Sequence, residues 1–311
     1  MMDIVIAFNE DYVMPAGVML CSLFENNKAE DIHIHALLRQ ESSFVHPICD
    51  IVNHYGGHLH CYDMSSFNLP PLPVGLSNQR ANISVESYYR LFVSEVLPPT
   101  LDRVLYLDCD IIIADSLKDF WNEDISGFAL GAVPDFENNN VKFANRLCYD
   151  IEYGYFNSGV LLINLNYWRE HNVYNNFVRY IENNYNELVF HDQDVLNHEF
   201  YQHKKELPIK YNFQTNFLYK NSYRNISCKY YGQIDYAFKH PCVIHFTEDK
   251  PWYSDTTNPM CSFFDKYLNL TIWKGQPKKI REVSFWSKLR RIKSFIKGES
   301  KSEGLYNNDY L

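Results

Sequence analysis

Two aspartates separated by one residue, Asp108 and Asp110, are the side chains of this sequence best placed to do chemistry. They directly follow the apolar run 104–107, and residues i and i+2 of a strand point to the same side. We therefore expect both carboxylates to converge at a strand end while Cys109 turns into the packing. Oxygen ligands of this kind suit Mg²⁺ or Mn²⁺. The alternative is a turn that the two aspartates merely solvate, and the surrounding sequence has to decide.

Polar residues at two other places could contribute to the same site. Asn9 and Asp11 follow the first predicted strand, where their acceptor groups could bind a nucleotide base and ribose; helix capping by Asp11 is the alternative. Arg90 lies on a predicted helix and suits phosphate or sugar hydroxyl groups, although a surface salt bridge would also explain it.

Small polar residues head a later apolar run, with Asn157 and Ser158 in front of Gly159, and they suit close approach of a ligand. A strand with a polar start is the alternative. Asp192 and Gln193 open a predicted helix, where one acid could simply stabilise the helix dipole.

His245 ends another short apolar run, and Lys250 follows it. The histidine could complete a metal site with two aspartates, and the lysine could neutralise phosphate charge. A structural histidine is the alternative.

The elements that must position these residues alternate between β-branched runs and helical patterns. The predicted strands span 3–8, 32–38, 58–62, 104–107, 128–133 and 160–165, and the predicted helices span 13–26, 43–55 and 86–96, with another opening at 191–194. This order favours an α/β fold with a mostly parallel central sheet flanked by helices. Ligands bind outside the carboxyl ends of such strands, where both Asn9 and Asp108 fall.

Composition narrows the class of protein. The 311 residues are 46% hydrophobic and 16% aromatic, which is typical of a folded globular chain. No run is long enough to span a bilayer, the N-terminus lacks signal-peptide features, and the eight cysteines are spaced like reduced packing residues. We therefore expect a cytoplasmic protein.

Charge is distributed unevenly, and the C-terminal end is basic. Residues 278–311 hold nine of the 29 basic and four of the 38 acidic side chains. The preceding residues, 1–277, therefore form an acidic body, and nucleic acid is not an expected partner. Basic and apolar residues at helical spacing over 278–297 predict a helical appendage lying on an anionic membrane surface. A terminal helix packed on the acidic body is the alternative. Residues 298–311 are predicted to be a disordered tail.

The opening strand and five further segments, taken together and in order, resemble glycosyltransferase family 8, which includes bacterial lipopolysaccharide galactosyl- and glucosyltransferases. The resemblance covers about residues 3–252. Apart from the opening strand, its specific segments are NISVESYYRL (82–91), LYLDCD (105–110), YFNSGVLLINL (155–165), DQDVLN (192–197) and the H…KPW ending (245–252).

The resemblance implies a GT-A type nucleotide-diphospho-sugar transferase fold over a catalytic domain of residues 1–277. It also implies a retaining hexosyltransferase that moves galactose or glucose from a UDP-sugar to a saccharide acceptor, on a lipopolysaccharide or other glycolipid. Such an enzyme depends on Mn²⁺, with Mg²⁺ as an alternative ion. Together with the basic segment, this predicts a peripheral protein on the inner face of the cell membrane.

The resemblance also implies a role for each matching residue. Asp108, Asp110 and His245 would ligate the metal, and Gln193 would lie beneath the anomeric carbon with Asp192 beside it as the second catalytic candidate. Among the donor-binding residues, Asn9 and Asp11 would contact the nucleoside and Lys250 the diphosphate. Arg90, Asn157 and Asp192 would contact the sugar. Asn82, Ser158 and Cys109 are included because they lie within the matching motifs.

The sequence departs from the family pattern in three places. Asn9 stands where an acid is common, Asn82 stands where some relatives have histidine, and the segment from His245 to Lys250 is one residue short and lacks the usual glycine. Two other functions remain open: a protein of this fold that binds UDP-sugars or glycans without turnover, and a phosphotransferase that uses the aspartate pair. Acceptor contacts are expected from the segments 67–77 and 211–236.

Overall fold

The elements that carry the site are short strands with apolar side chains on both faces. The computed structural model of the protein describes residues 1–40, 43–75, 84–218 and 225–281. In these residues the strands are β1 (Met2–Ala7), β2 (Ile32–Leu38), β3 (His58–Asp63), β4 (Arg103–Leu107), β5 (Ile111–Ile113), β6 (Leu130–Pro134), β7 (Phe156–Asn164), β8 (Lys204–Glu206), β9 (Phe213–Gln214) and β10 (Val243–His245). The α-helices are α1 (Val13–Asn26), α2 (His46–His54), α3 (Val93–Val96), α4 (Lys118–Trp121), α5 (Val141–Leu147), α6 (Leu165–Glu170), α7 (Val173–Asn183), α8 (His191–Phe200), α9 (Tyr231–Lys239) and α10 (Cys261–Leu268).

Seven strands form the central sheet in the order β3-β2-β1-β4-β7-β6-β8. The pairs β3-β2, β2-β1, β1-β4 and β6-β8 are parallel, whereas β7 runs antiparallel to both of its neighbours. Ile4 and Ile6 of β1 face one apolar core, and Val5 faces the other. A strand buried on both faces needs this continuous apolar sequence. The predicted mostly parallel sheet flanked by helices is confirmed.

A second, three-stranded sheet in the order β5-β10-β9 positions the histidine of the site. β5 begins immediately after Asp110 and pairs antiparallel with β10, so that Ile111 lies opposite His245. The backbone N–H of Phe246 also donates to the carbonyl oxygen of Asp110 at 3.0 Å. This pairing fixes the distance between the aspartate pair and a histidine 135 residues later.

Two predicted elements differ from the structure. The helix predicted over 86–96 is a 3-10 helix from Val85 to Phe92 followed by the single-turn helix α3. The strand predicted over 160–165 begins four residues earlier, at Phe156, so that Asn157, Ser158 and Gly159 are strand residues. Asparagine, serine and glycine are uncommon inside strands. Here Asn157 and Ser158 make side-chain hydrogen bonds, and Gly159 lies in close contact with a neighbouring strand end.

The C-terminal part of the described chain packs against the body. Residues 278–281 are not helical: Lys279 forms a β-bridge with Tyr253, and Arg281 pairs with Asp249 at 2.9 Å. The rest of the predicted basic helix, and the predicted tail, lie outside the described residues. No described helix is long and apolar enough to cross a bilayer. All eight cysteines are described and none is in a disulfide, although Cys148 and Cys228 are exposed and not packed.

Candidate active site

Two strand-end aspartates and the β10 histidine meet at one point. Asp108, Asp110 and His245 each direct one ligand atom into a space where these atoms lie within 4.8 Å of one another. Nε2 of His245 is 3.3 Å from Oδ1 of Asp110 and 3.8 Å from Oδ2 of Asp108. Two carboxylates and one imidazole are a suitable donor set for a divalent cation. The residues present therefore fit a metal ion.

Each aspartate offers one oxygen to this point because a cationic side chain holds the other. Oδ1 of Asp108 accepts a hydrogen bond of 2.8 Å from Arg90, and Oδ2 of Asp110 accepts one from Lys250. Burial by itself raises the pKa of Asp110, but Lys250 and His245 outweigh burial and hold this pKa below its usual range. Asp110 is therefore ionised at neutral pH, as a metal ligand must be.

A chain of buried amides sets the tautomer of His245. Oδ1 of Asn157 accepts from the backbone N–H of Gly159 at 3.0 Å, so the group that faces it from Asn212 at 2.8 Å is the NH₂ of that residue. The remaining oxygen of Asn212 then lies 3.0 Å from Nδ1 of His245 and only accepts. Nδ1 consequently carries the proton, and Nε2 presents its lone pair to the two aspartates, as a metal ligand requires.

Gly159 is required by close approach between strands. The backbone N–H of Asp108 donates to the carbonyl oxygen of Gly159 at 2.8 Å, which places the glycine directly beside the aspartate pair. A Cβ atom at Gly159 would lie 2.3 Å from Cε1 of His245 and 2.6 Å from Oδ2 of Asp108. The space that a methyl group would fill is therefore occupied by the side chains of His245 and Asp108 themselves.

Arg90 is the centre of a second group of charges. It is only 4% exposed, so the surface salt bridge considered from sequence is excluded. Besides its bond to Asp108, Arg90 places Nε 3.1 Å from Oδ2 of Asp192 and donates to the carbonyl oxygen of Ser158 at 2.6 Å. Burial raises the pKa of Asp192, and Arg90 opposes that effect. The guanidinium thus holds Asp108 and Asp192 in place, and losing it would leave both carboxylates without this cationic partner.

Gln193 lies beside this group at the first turn of α8. Its Oε1 accepts the backbone N–H of Ser158 at 2.9 Å, and its Nε2 is 3.4 Å from Oδ2 of Asp135. The hydroxyl of Ser158 donates to Asp192 at 2.9 Å. The adjacent Asp194 is instead structural, since it is fully buried and accepts two hydrogen bonds from Arg146.

Asp135 joins Gln193 to the amide chain and was not identified from sequence. It accepts from Nδ2 of Asn157 at 3.0 Å and from the backbone N–H of Glu137 at 2.9 Å. Burial raises the pKa of Asp135 to about 6, although the hydrogen bonds from Asn157 and Glu137 lower it. The carboxylate is mostly ionised at pH 7 and gains a proton in mildly acidic solution.

The raised pKa of Asp135 predicts a pH-dependent stability difference. Asp135 stays protonated up to about pH 6 in the folded state but only up to about pH 4 in the unfolded state, so its protonation stabilises the folded state. This contribution to the free energy of unfolding is fully present below pH 4 and is lost as the pH rises through 6. Between pH 4 and pH 7 the wild-type free energy of unfolding should fall by about 2.4 kcal/mol relative to that of Asp135→Asn. Urea unfolding of both proteins across this range checks it, and parallel pH profiles would contradict it.

Asn9 borders a cavity of about 510 Å³ at the carboxyl end of β1, the neighbour of the strand that ends before Asp108. Its Oδ1 is buried and has no hydrogen-bond partner among the described residues, and its Nδ2 is 3.5 Å from Oε2 of the buried Glu86. A buried acceptor without a partner is costly, so a ligand that donates to Asn9 would bind favourably here.

The remaining predicted site residues lie in different surroundings. Asp11 is exposed, and no side-chain capping bond is formed at the start of α1. Cys109 is buried, as expected, with Sγ 3.6 Å from the carbonyl oxygen of Ala7, and burial raises its pKa. Asn82 lies outside the described residues.

Three functional candidates were missed from sequence: Glu86, Asp135 and Asn212. Glu86 stands inside the NISVESYYRL segment, but a glutamate in a predicted helix is ordinarily exposed, whereas this one is buried. Asn212 belongs to a segment expected to be a variable loop, whereas it is fully buried directly before β9. Neither Asp135 nor Asn212 carries a local motif that would have identified it.

Solved structures show which class of fold this is. The chain superposes on the galactosyltransferase LgtC, solved in complex with donor and acceptor sugar analogs, with a TM-score of 0.72 and 24% identity, covering 90% of this chain and 98% of that one. At that identity the likeness establishes the fold alone. The predicted GT-A fold is confirmed.

The chain belongs to glycosyl transferase family 8, whose family model matches residues 3–256. It is 29% identical over 280 residues to a lipopolysaccharide 1,2-glucosyltransferase of Escherichia coli, covering 87% of this chain and 79% of the relative. It is also 29% identical over 213 residues to general stress protein A of Bacillus subtilis strain 168, covering 64% of this chain and 71% of that protein. The predictions of this family and of a glycosyltransferase enzyme are confirmed.

Proposed function

We propose that this chain transfers a hexose, galactose or glucose, from a UDP-sugar to a saccharide acceptor with retention of anomeric configuration, using Mn²⁺ or alternatively Mg²⁺. One observation carries the proposal. Asp108 and Asp110 each give one oxygen to a cation-binding point shared with His245 and the other to a cationic side chain, Arg90 or Lys250. This arrangement suits a diphosphate and a metal bound together beside the Arg90 group.

The cavity beside Asn9 supports uridine as the nucleoside. Uracil offers an N–H donor next to carbonyl acceptors, and the unpartnered Oδ1 of Asn9 can accept from that N–H while its NH₂ donates to a carbonyl. An amide can therefore replace the acid that is common at this position. We assign Asp11, in the 3-10 turn that follows, to the ribose hydroxyl groups.

Breaking the anomeric bond leaves negative charge on the departing diphosphate, and this charge has to be stabilised. Lys250 lies against Asp110 and the carbonyl oxygen of Phe246, within reach of any phosphate bound at the metal. A bound divalent cation would act there as a Lewis acid, held by Asp108, Asp110 and His245. Fixed positive charges at this position stabilise a leaving group without a proton transfer.

The contacts of Asp192 favour attack on the same face as the leaving group over a covalent enzyme intermediate. Oδ2 of Asp192 already accepts from Ser158 and pairs with Arg90, so this carboxylate is held as an acceptor for sugar hydroxyl groups. Gln193 is a poor nucleophile, and its amide can stabilise positive charge at the anomeric carbon through its oxygen. We therefore assign Gln193 to the reacting centre and Asp192, Arg90 and Asn157 to the sugar.

Replacing Gln193 with alanine should lower turnover more than donor binding. The amide acts on charge that develops only as the anomeric bond breaks, so we expect kcat to fall about 10- to 100-fold while the donor dissociation constant changes less than about threefold. Steady-state kinetics and donor titration measure the two effects separately. Unchanged turnover would contradict the position assigned to Gln193.

The direct test of the proposal is a screen of UDP-sugars for Mn²⁺-dependent release of UDP. Release from UDP-galactose or UDP-glucose, slow without an acceptor and faster with a saccharide acceptor, is the expected result. Binding of UDP-sugars without release would instead support the alternative of a binding protein that has lost turnover. Failure of UDP-sugars to bind at all would contradict the donor assignment.

We propose a lipopolysaccharide or other glycolipid as the acceptor, on the inner face of the cell membrane, with residues 278–297 as the membrane contact beside the catalytic domain of residues 1–277. The name of the Escherichia coli relative and the basic composition of 278–297 support this.

Because residues 278–281 pack on the body, a deletion that tests the membrane contact should begin at residue 282. Deleting 282–311 should lower binding to anionic liposomes at least about tenfold in a sedimentation assay. Undiminished binding would contradict the membrane contact.

A further inference from the structure

A cluster of histidines lies at the opposite end of the sheet from the transfer site. His33 and His35 of β2 face the same side as His58 and His60 of β3, the edge strand, because the parallel register pairs His33 with His58 and His35 with His60. Asp31 immediately precedes β2. His33 is six residues before Arg39 at the nucleoside cavity, or about 20 Å along the strand.

Three of these side chains converge without forming good hydrogen bonds to one another. Oδ1 of Asp31 is 3.5 Å from Nε2 of His33 and 3.6 Å from Nε2 of His58, and these ligand atoms all lie within 4.8 Å of each other. Such separations are long for hydrogen bonds. They match the distance of about 3.4 Å between two ligands of a tetrahedral Zn²⁺ with bonds of about 2.1 Å.

A neighbouring histidine supports the tautomer that a metal ligand needs. Nδ1 of His33 lies 3.2 Å from Nε2 of His60, so His60 can accept a proton from Nδ1 when the lone pair of the His33 Nε2 binds a metal. The backbone of Asp31 is also anchored, because its carbonyl oxygen accepts the N–H of Met2 at 2.7 Å. The ligand set is therefore held by the strand register and by two further contacts.

We propose that Asp31, His33 and His58 form a second metal site, which binds Zn²⁺ or a similar imidazole-preferring cation, with water completing the coordination. Two imidazoles and one carboxylate favour such a cation, whereas the two carboxylates of the transfer site favour Mn²⁺ or Mg²⁺. Asp31 and His58 are each about half exposed, with 55% of the side chain accessible, so an ion reaches the site directly from solvent. The bound ion joins β2 to the edge strand β3 and stabilises that edge.

Titration of the metal-free full chain with Zn²⁺ tests the site. The experiment uses an Asp110→Asn background, in which the transfer site is weakened, so the proposal stands or falls separately from the proposed function. We expect one Zn²⁺ to bind and to raise the melting temperature, and His58→Ala or Asp31→Asn to weaken this binding about 100-fold or more. Co²⁺ in place of Zn²⁺ should give the visible absorption of a tetrahedral site without a thiolate charge-transfer band.

His54→Ala is the matched control, because His54 is also exposed and lies only four residues before His58. It should bind Zn²⁺ as the parent does. Zn²⁺ affinity that is equal in His54→Ala, His58→Ala and Asp31→Asn would overturn the proposal, as would a Co²⁺ spectrum of thiolate ligation. The two ligand substitutions lie at exposed positions, so the metal-free melting temperatures should match that of the parent and show that the variants fold.

Discussion

Replacing Asp110 with asparagine is expected to lower metal-dependent sugar transfer by about 10³-fold or more while the fold stays intact. The amide has nearly the shape of the carboxylate but lacks its charge, so the metal loses a ligand and Lys250 loses the partner that now holds it. A metal that stabilises the leaving group contributes several kcal/mol, and each 1.36 kcal/mol is a factor of ten in rate. UDP release as a function of Mn²⁺ concentration measures the loss.

Direct Mn²⁺ binding gives a second readout, which does not depend on knowing the donor sugar. Asp119→Asn is the matched control, since Asp119 is an exposed carboxylate in the first turn of α4. The control should bind Mn²⁺ and turn over as the wild type does, and both variants should unfold at similar temperatures. Wild-type Mn²⁺ affinity or metal-dependent transfer in Asp110→Asn would show that the aspartate pair is not the metal site.

The arrangement of Asp108 and Asp110 could be predicted because it depends only on neighbouring residues in the sequence. Asp108 and Asp110 follow an apolar run, and the two-residue period of a strand is enough to place both carboxylates on one side with Cys109 in the packing. The parallel arrangement of β1 and β4 likewise follows from alternating strands and helices, which is why Asn9 was expected near the same edge. Both expectations agree with the structure.

The parts that could not be predicted depend on contacts between distant segments. Sequence alone places Asn157 and Gly159 in front of a strand. They lie inside β7 because Phe156 pairs with Pro134 of β6 and because the carbonyl oxygen of Gly159 accepts the N–H of Asp108. Asn212 gains its role from touching His245 and Asn157, which lie 33 and 55 residues away. Asp135 is similarly defined by its neighbours in space, and sequence periodicity contains no information about such contacts.

Replacing Gly159 with alanine should disable the site through a single methyl group. The new Cβ would lie far inside van der Waals contact with Cε1 of His245 and Oδ2 of Asp108. Neither ligand can withdraw freely, since His245 is bonded to Asn212 and Asp108 to Arg90. We expect Mn²⁺ affinity and transfer each to fall about 100-fold, comparable to the effect of disturbing the groups that orient metal ligands. The free energy of unfolding should fall by about 1–3 kcal/mol.

Gly232→Ala separates this steric effect from the general consequences of replacing a glycine. Gly232 lies in α9, and a Cβ atom there would meet no atom within 4 Å, so the control should keep full activity and gain up to about 1 kcal/mol of stability. The backbone at Gly159 is not in the left-handed region, so alanine is tolerated conformationally and only the ligands oppose it. Normal Mn²⁺ affinity in Gly159→Ala would mean that Asp108 and His245 do not hold the metal together, and the proposed site would have to be reassigned even if the protein proved to be an active transferase.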